Sequence, residues 1–285
     1  MSPNKRIKKE ARLRLNERWP GALAVSAVLW MAFFFLALLN EFLMQVYFGF
    51  DAQRITEEMS TASLFHPLGL LQLCTDLLVI FPLLLPLRMG AAKYFYAQAT
   101  DQPTSAAVVF DYFTDWNKYF SALTYNLRLA LRLLQWALCS FAPGLICHLV
   151  VQFTCKADFL AYENALPGDP IPTGILLTAC GNLLLLLGLF FFLPQAVRYF
   201  LADYLFLQEE TLSHTECFAR SVALLRPHRG KVISLGCSML GWYLLCFLGF
   251  PLLYVFPLSQ MSFAVSAKWL LRLNSPAPDA DLPQT

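Results

Sequence analysis

Residues 19–48 read WPGALAVSAVLWMAFFFLALLNEFLMQVYF. From Ala22 to Leu39 there is no charge, and Ser26 is the one hydroxyl. A helix of about 20 such residues crosses the ~30 Å hydrocarbon core of a bilayer. Seven basic residues precede the run: Lys5, Arg6, Lys8, Lys9, Arg12, Arg14 and Arg18. Basic-then-apolar is also the pattern of a secretory leader. This run is longer than a leader's apolar core, however, and it ends on Asn40 and Glu41 without a small-residue cleavage site. It reads as an uncleaved first span.

Similar runs follow along the chain. The second begins near Leu68 and continues past Arg88. The third covers roughly Phe120 to Phe153, and the fourth Gly174 to Leu207. The stretch from Val232 to Leu273 is twice the length of one span, and Gly249-Phe250-Pro251 offers a turn near its middle. It splits into a fifth and a sixth span. Backbone groups in lipid must be satisfied within the segment, so apolar runs of this length are helices. The expected fold is an all-α polytopic transmembrane bundle of six spans in three hairpins, with short amphipathic cytoplasmic helices. Residues 1–18 form a basic segment, 19–273 the membrane domain and 274–285 a disordered tail.

Composition agrees. Of 285 residues, 58% are apolar and only 14% charged, too few to solvate a soluble fold of this size. The net charge of +2 points to no nucleic-acid partner. Orientation follows from lysine and arginine, which gather on the cytoplasmic side. Arg54 and Lys156 fall in the two short polar loops at about 49–67 and 154–173, and the other basic residues fall on the opposite side. Both termini are therefore expected in the cytoplasm, in the cell membrane. Pro167-Gly168-Asp169-Pro170-Ile171-Pro172 rules out a helix in the second loop.

Within this frame, each returning span carries a proline in its apolar run: Pro86, Pro194 and Pro257. The segments LPLRMGAAKYFYA, LPQAVRYFLADYL and FPLSQMSFAVSAKWL then turn polar and aromatic, as three repeats of one unit would. Interface anchors in any membrane protein share that trend. Ser213 and Glu216 make a capping box for a short helix that carries Phe218, Val222 and Leu225 on one face and ends at Pro227 and Gly230. The basic N-terminal segment is itself helical, with Ile7, Ala11, Leu15 and Trp19 along one side. Gly174, Gly181 and Gly188 recur every seven residues and form a groove for a neighbouring helix.

Motifs of soluble enzymes are missing. There is no phosphate-binding glycine loop, no HExxH and no GxSxG. The eight cysteines show no CxxC spacing, and Cys74 and Cys155 are the pair that could bridge on the outer side. No enzyme, metal or cofactor is expected. Polar side chains within spans are the candidates for function, because burying them in lipid is costly. They are Asp76, Asn182, Arg128 and Arg132, which share a face, and Arg198 with Asp203, five apart. Read functionally, they form a polar pathway or a headgroup site. Read structurally, they are interhelical hydrogen bonds and snorkelling arginines.

The segments KRIKKEARLRLNERWPGALAVSAVL (5–29) and FLADYLFLQEETLSHTECFARSVALLRPHRGKVISLGCSMLGWYLLCFLGFPLLYVFPLSQMSFA (200–264) resemble the domain of unknown function 975 family, a bacterial integral membrane group. The features that carry the resemblance are Ser221, His228-Arg229-Gly230-Lys231, Gly241-Trp242 and Pro257. The chain departs from the family pattern at Phe256-Pro257-Leu258 and in a longer 154–173 loop. The resemblance implies a bacterial cytoplasmic membrane and no defined activity. Two functions fit. One is a non-enzymatic accessory, assembly or envelope-homeostasis component, with membrane lipids and another membrane or cytoplasmic protein as its candidate partners. The other is a transporter or channel for a small solute or lipid.

Overall fold

The computed structural model describes residues 3–16, 18–48, 67–154, 173–208, 212–246 and 252–274. Within them the chain is all helical, with nine α-helices, one 3-10 helix and no strand. The order is α1 (Pro3–Asn16), α2 (Trp19–Phe48), α3 (Pro67–Ala99), the 3-10 helix (Ala106–Phe113), α4 (Trp116–Thr154), α5 (Thr173–Val197), α6 (Ala202–Gln208), α7 (His214–Leu225), α8 (Arg229–Leu245) and α9 (Leu252–Asn274). Most of the two expected outer loops, the Gly249-Phe250-Pro251 turn, Cys155 and the tail beyond Asn274 lie outside the described residues, as does the side chain of Asp76.

Among the described residues, three stretches are long and apolar enough to cross a membrane: Trp19–Leu43, Trp116–Val151 and Thr173–Gln208. The last takes in α5, a turn and α6. The sequence expected six spans, but α3, α8 and α9, which would carry the second, fifth and sixth, are not among these three. α8 has only 17 residues, about 26 Å of helix. α9 is interrupted by polar Ser259, Gln260, Ser262, Ser266 and Lys268.

The chain folds as two compact units. The first comprises residues 1–126 and 198–285, and its core is built on α9 and the second half of α3. α9 buries Val255, Leu258, Met261, Ala264, Val265 and Ala267, together with three serines. Ser259 and Ser262 donate back to the carbonyls of Phe256 (2.8 Å) and Leu258 (2.7 Å), so these small side chains reach the core already satisfied. α3 packs against α2, α9 and the 3-10 helix, and at Gly90 the Val109 backbone fills the space a side chain would need. α2 buries Ala22, Val25, Ser26, Leu36 and Asn40 on one side and exposes Phe34, Phe35, Leu38 and Phe42 on the other.

Prolines mark α3 in a specific way. Pro86 has no N–H to give the carbonyl of Pro82, four residues back. The Tyr119 hydroxyl takes that place, donating to the Pro82 oxygen at 3.1 Å. α3 ends in a Schellman arrangement, with Gln102 N–H on the Ala97 carbonyl at 2.9 Å and Asp101 N–H on Gln98 at 3.4 Å. Asp101 holds the left-handed position, φ 65°. Proline is not confined to the returning helices, because Pro143 lies inside α4.

The capping box forms as the sequence predicts. The Ser213 hydroxyl accepts from Glu216 N–H at 3.3 Å, and a Glu216 carboxylate oxygen accepts from Ser213 N–H at 2.9 Å. The buried face of α7 is Cys217, Phe218, Ser221 and Leu225, with Val222 at its margin. Ser221 belongs there because its hydroxyl donates to the Arg198 carbonyl at 2.8 Å. Gly230 does not end this helix. It sits in the first turn of α8, with nothing within 4 Å of where a side chain would begin.

The second unit, residues 127–197, is the hairpin of the later part of α4 with α5. Gly174, Gly181 and Gly188 are all buried. A side-chain carbon at Gly188 would lie 2.5 Å from the Ser140 carbonyl oxygen, and one at Gly181 3.1 Å from Cys147. α4 answers with Gly144, packed against Leu185 and the Gly181 carbonyl. The bulky residues point away from this seam: Leu131, Leu134, Leu138, Leu186, Phe190 and Phe191 are all exposed. Small residues inside and large apolar ones outside is the packing of helices solvated by lipid.

Candidate functional site

The polar side chains of the first unit gather in three places. The first, around the fully buried Tyr125, lies where α3, α4 and α6 meet. Asp203, in the first turn of α6, accepts from the Tyr125 hydroxyl at 2.9 Å on one carboxylate oxygen and pairs with the Arg88 guanidinium at 3.1 Å on the other. The same Arg88 nitrogen donates to Asn126 Oδ1 at 3.1 Å, and Asn126 Nδ2 donates to the Ala122 carbonyl at 2.8 Å. Tyr125 is fully buried, stacked between Phe206 (4.4 Å) and Phe218 (5.2 Å). Tyr96 and Tyr204 extend the aromatic wall with their rings 5.3 Å apart, and Gln208 donates to Tyr96 at 2.6 Å. Tyr96 and Tyr204 each lie ten residues beyond a proline, Pro86 and Pro194.

A carboxylate at a helix start gains from the backbone dipole, and a charge taken from water needs a partner with good geometry. Both conditions hold at Asp203. Each carboxylate oxygen has a partner, the phenol on one and the guanidinium on the other, and the guanidinium offsets the charge.

The second place fixes α1. Arg14 pairs with Asp101 and, at 3.3 Å, with Glu10. Lys268, almost completely buried, donates to the Ala99 carbonyl at 2.7 Å. Lys8 donates to the Ser238 carbonyl at 2.7 Å, and Trp269 to Glu10 at 3.0 Å. The Arg14 hydrogen bond holds the Asp101 carboxyl below its ordinary range. The third is a cavity of about 230 Å³ lined by Lys93, Asp111, Asn117, Lys118 and Ser121, among others. Lys93 hydrogen-bonds Asp111, and Lys118 approaches it at 3.6 Å. Lys93 above all keeps the Asp111 carboxyl below the usual carboxylate range.

Of the residues the sequence singled out, Asp203 alone falls in the central cluster. Arg198 is in the same unit, where its carbonyl receives Ser221. Arg128, Arg132 and Asn182 belong to the second unit, with Arg128 and the groove-flanking Asn182 exposed. Arg88, Tyr125 and Asn126 were not anticipated. Arg88 looked like one more topology-setting cation. Its position two residues after Pro86, at the end of an apolar run, was the available signal. No group of three or more His, Cys, Asp or Glu side chains suited to a metal occurs among the described residues.

No curated protein and no solved structure matches the chain. The family model described as "Protein of unknown function (DUF975)" matches residues 1–266, and the chain belongs to that family.

Proposed function

We propose that this is a multi-pass membrane protein of six spans with both termini in the cytoplasm of a bacterial cell, acting as a non-enzymatic accessory or assembly component. The observation that carries the non-enzymatic reading is the mutual pairing of Arg88, Asp203, Tyr125 and Asn126. A catalytic or transport site aims its polar groups at a substrate, whereas here the Asp203 carboxylate, the Tyr125 hydroxyl and the Asn126 amide bond within the protein, and the half-exposed Arg88 is engaged through Nη2. The cluster then works as a lock that joins α3, α4 and α6. The six-span reading draws support from the breaks between α7, α8 and α9 and from the distribution of basic residues. The transporter alternative keeps the proline-interrupted helices in its favour.

The test joins topology and activity. A reporter fused after Thr285 should report a cytoplasmic end, and an extracytoplasmic signal sinks the six-span reading. Purification in native lipid with mass spectrometry should recover a stoichiometric protein partner. Solute flux through proteoliposomes that Asp203→Asn abolishes, with protein level and thermal stability intact, would replace the accessory reading with the transporter.

A further inference from the structure

α1, α8 and α9 enclose a cavity of about 250 Å³. Its polar lining is Asn4, Arg6, Lys231 and Ser266, and its apolar lining includes Trp269 and Leu273. It differs in kind from the cavity at Lys93. There a carboxylate, Asp111, sits between the two lysines and offsets one of their charges. Here no acidic side chain lines the walls among the described residues, and neither Arg6 nor Lys231 has a carboxylate partner there. Glu10, which accepts from the Trp269 indole N–H, is already paired with Arg14. The Arg6 guanidinium lies 5.6 Å over the Trp269 ring, which keeps this exposed side chain beside the cavity.

Two cations with no carboxylate partner among the described residues, a hydroxyl and an amide beside an indole and leucines make an amphipathic pocket. The charge asks for an anion with several acceptor oxygens, which arginine matches best. The apolar wall asks for a hydrocarbon on the same molecule. Tryptophan at this level marks a membrane–water interface. We infer that this cavity binds the phosphate headgroup of an anionic phospholipid, with the start of an acyl chain along Trp269 and Leu273. This deepens the proposed function and rests on its membrane placement. It makes α1 a lipid-gripping element whose seat is one defined pocket.

The full-length protein in a non-ionic detergent micelle tests the inference, because such a micelle has no anionic surface of its own. Retention of dioleoyl-phosphatidylglycerol and dioleoyl-phosphatidylcholine is read by native mass spectrometry. One phosphatidylglycerol should be held in preference to phosphatidylcholine. Arg6→Ala with Lys231→Ala should weaken that retention about 30-fold, since each basic residue near a lipid anion accounts for about a fivefold change. Arg6→Lys with Lys231→Arg should retain the lipid, which separates lost charge from lost folding. Lys5→Ala with Lys9→Ala removes the same charge from the exposed face of α1 and should leave retention unchanged. Equal loss in the two alanine pairs, no preference for phosphatidylglycerol, or displacement of the lipid by inorganic phosphate would each overturn the inference. Flotation of the protein with phosphatidylcholine vesicles, measured alongside, tells failure of membrane placement from failure of the pocket.

Discussion

One substitution, glycine to alanine, should change sign along this chain according to what lies beside each position. In a helix interior alanine is favoured over glycine by about 1 kcal/mol, because glycine has more backbone entropy to lose. At Gly236 nothing lies within 4 Å of the added carbon. Gly236→Ala should therefore stabilise by about 0.5–1 kcal/mol. At Gly188 the added carbon would stand 2.5 Å from the Ser140 carbonyl oxygen, 2.9 Å from Phe141 Cδ1 and 3.2 Å from the Ser140 carbonyl carbon. Two of these three atoms are backbone of the facing helix, so relief requires α4 and α5 to part. Overpacking of this kind costs about 1–3 kcal/mol, and fixed backbone neighbours put it near the top of that range. After the alanine preference is subtracted, Gly188→Ala should destabilise by about 2 kcal/mol. The two variants should differ by about 3 kcal/mol, or roughly 6–12 °C in Tm for a domain of this size. Thermal unfolding of both purified proteins in the same detergent measures the gap. If Gly188→Ala melts at or above the wild type, the close glycine seam of the second unit is wrong.

Three further outcomes follow from other contacts. Tyr119→Phe should cost about 1 kcal/mol in the wild type and much less beside Pro86→Ala, where a new N–H can serve the Pro82 carbonyl; a double-mutant cycle with no coupling refutes the substitution of phenol for peptide. Ser213→Ala should lower stability by about 1 kcal/mol through loss of the α7 cap, seen as faster hydrogen exchange over residues 214–218, whereas unchanged exchange there means the box does not hold the helix in solution. The Asp111 carboxyl titrates below its unfolded value, so its contribution is present at neutral pH and fades as pH falls through about 4 and lower; Asp111→Asn should flatten that part of the acid-stability curve, and a curve of unaltered slope removes the Lys93 pairing from the account.

The helices were legible where the cause is local. α2 covers the expected Trp19–Phe48 stretch, because the uncharged run from Ala22 to Leu39 has one helix solution and the helix carries on past Asn40 and Glu41. The glycine seam was visible at seven-residue spacing because two helical turns bring the same face round again. The capping box needs only four consecutive residues. Ser221 was harder, since a hydroxyl interrupts an apolar face until its acceptor, the Arg198 carbonyl, is known. Gly230 was misread because glycine after a helix is a common stop signal, while here a second helix starts at Arg229. The Arg88–Asp203 pair was out of reach. Its members lie on helices separated by the whole of α4 and α5, and no periodicity links them. The crowd of basic residues around Arg88 gave an adequate topological reason for its presence, which hid the specific one.

The seating of α1 has a consequence in time. Glu10 meets Trp269 across 259 residues of sequence, and Lys8 meets the Ser238 carbonyl across 230. α1 therefore waits for partners that are synthesised 230 and 259 residues later. At about 5–20 residues per second, it stays unseated for roughly 10–50 s after leaving the ribosome. During that interval its basic face is open to whatever anionic surface it meets. Completion of α9 is the event that clamps the beginning of the chain to its end.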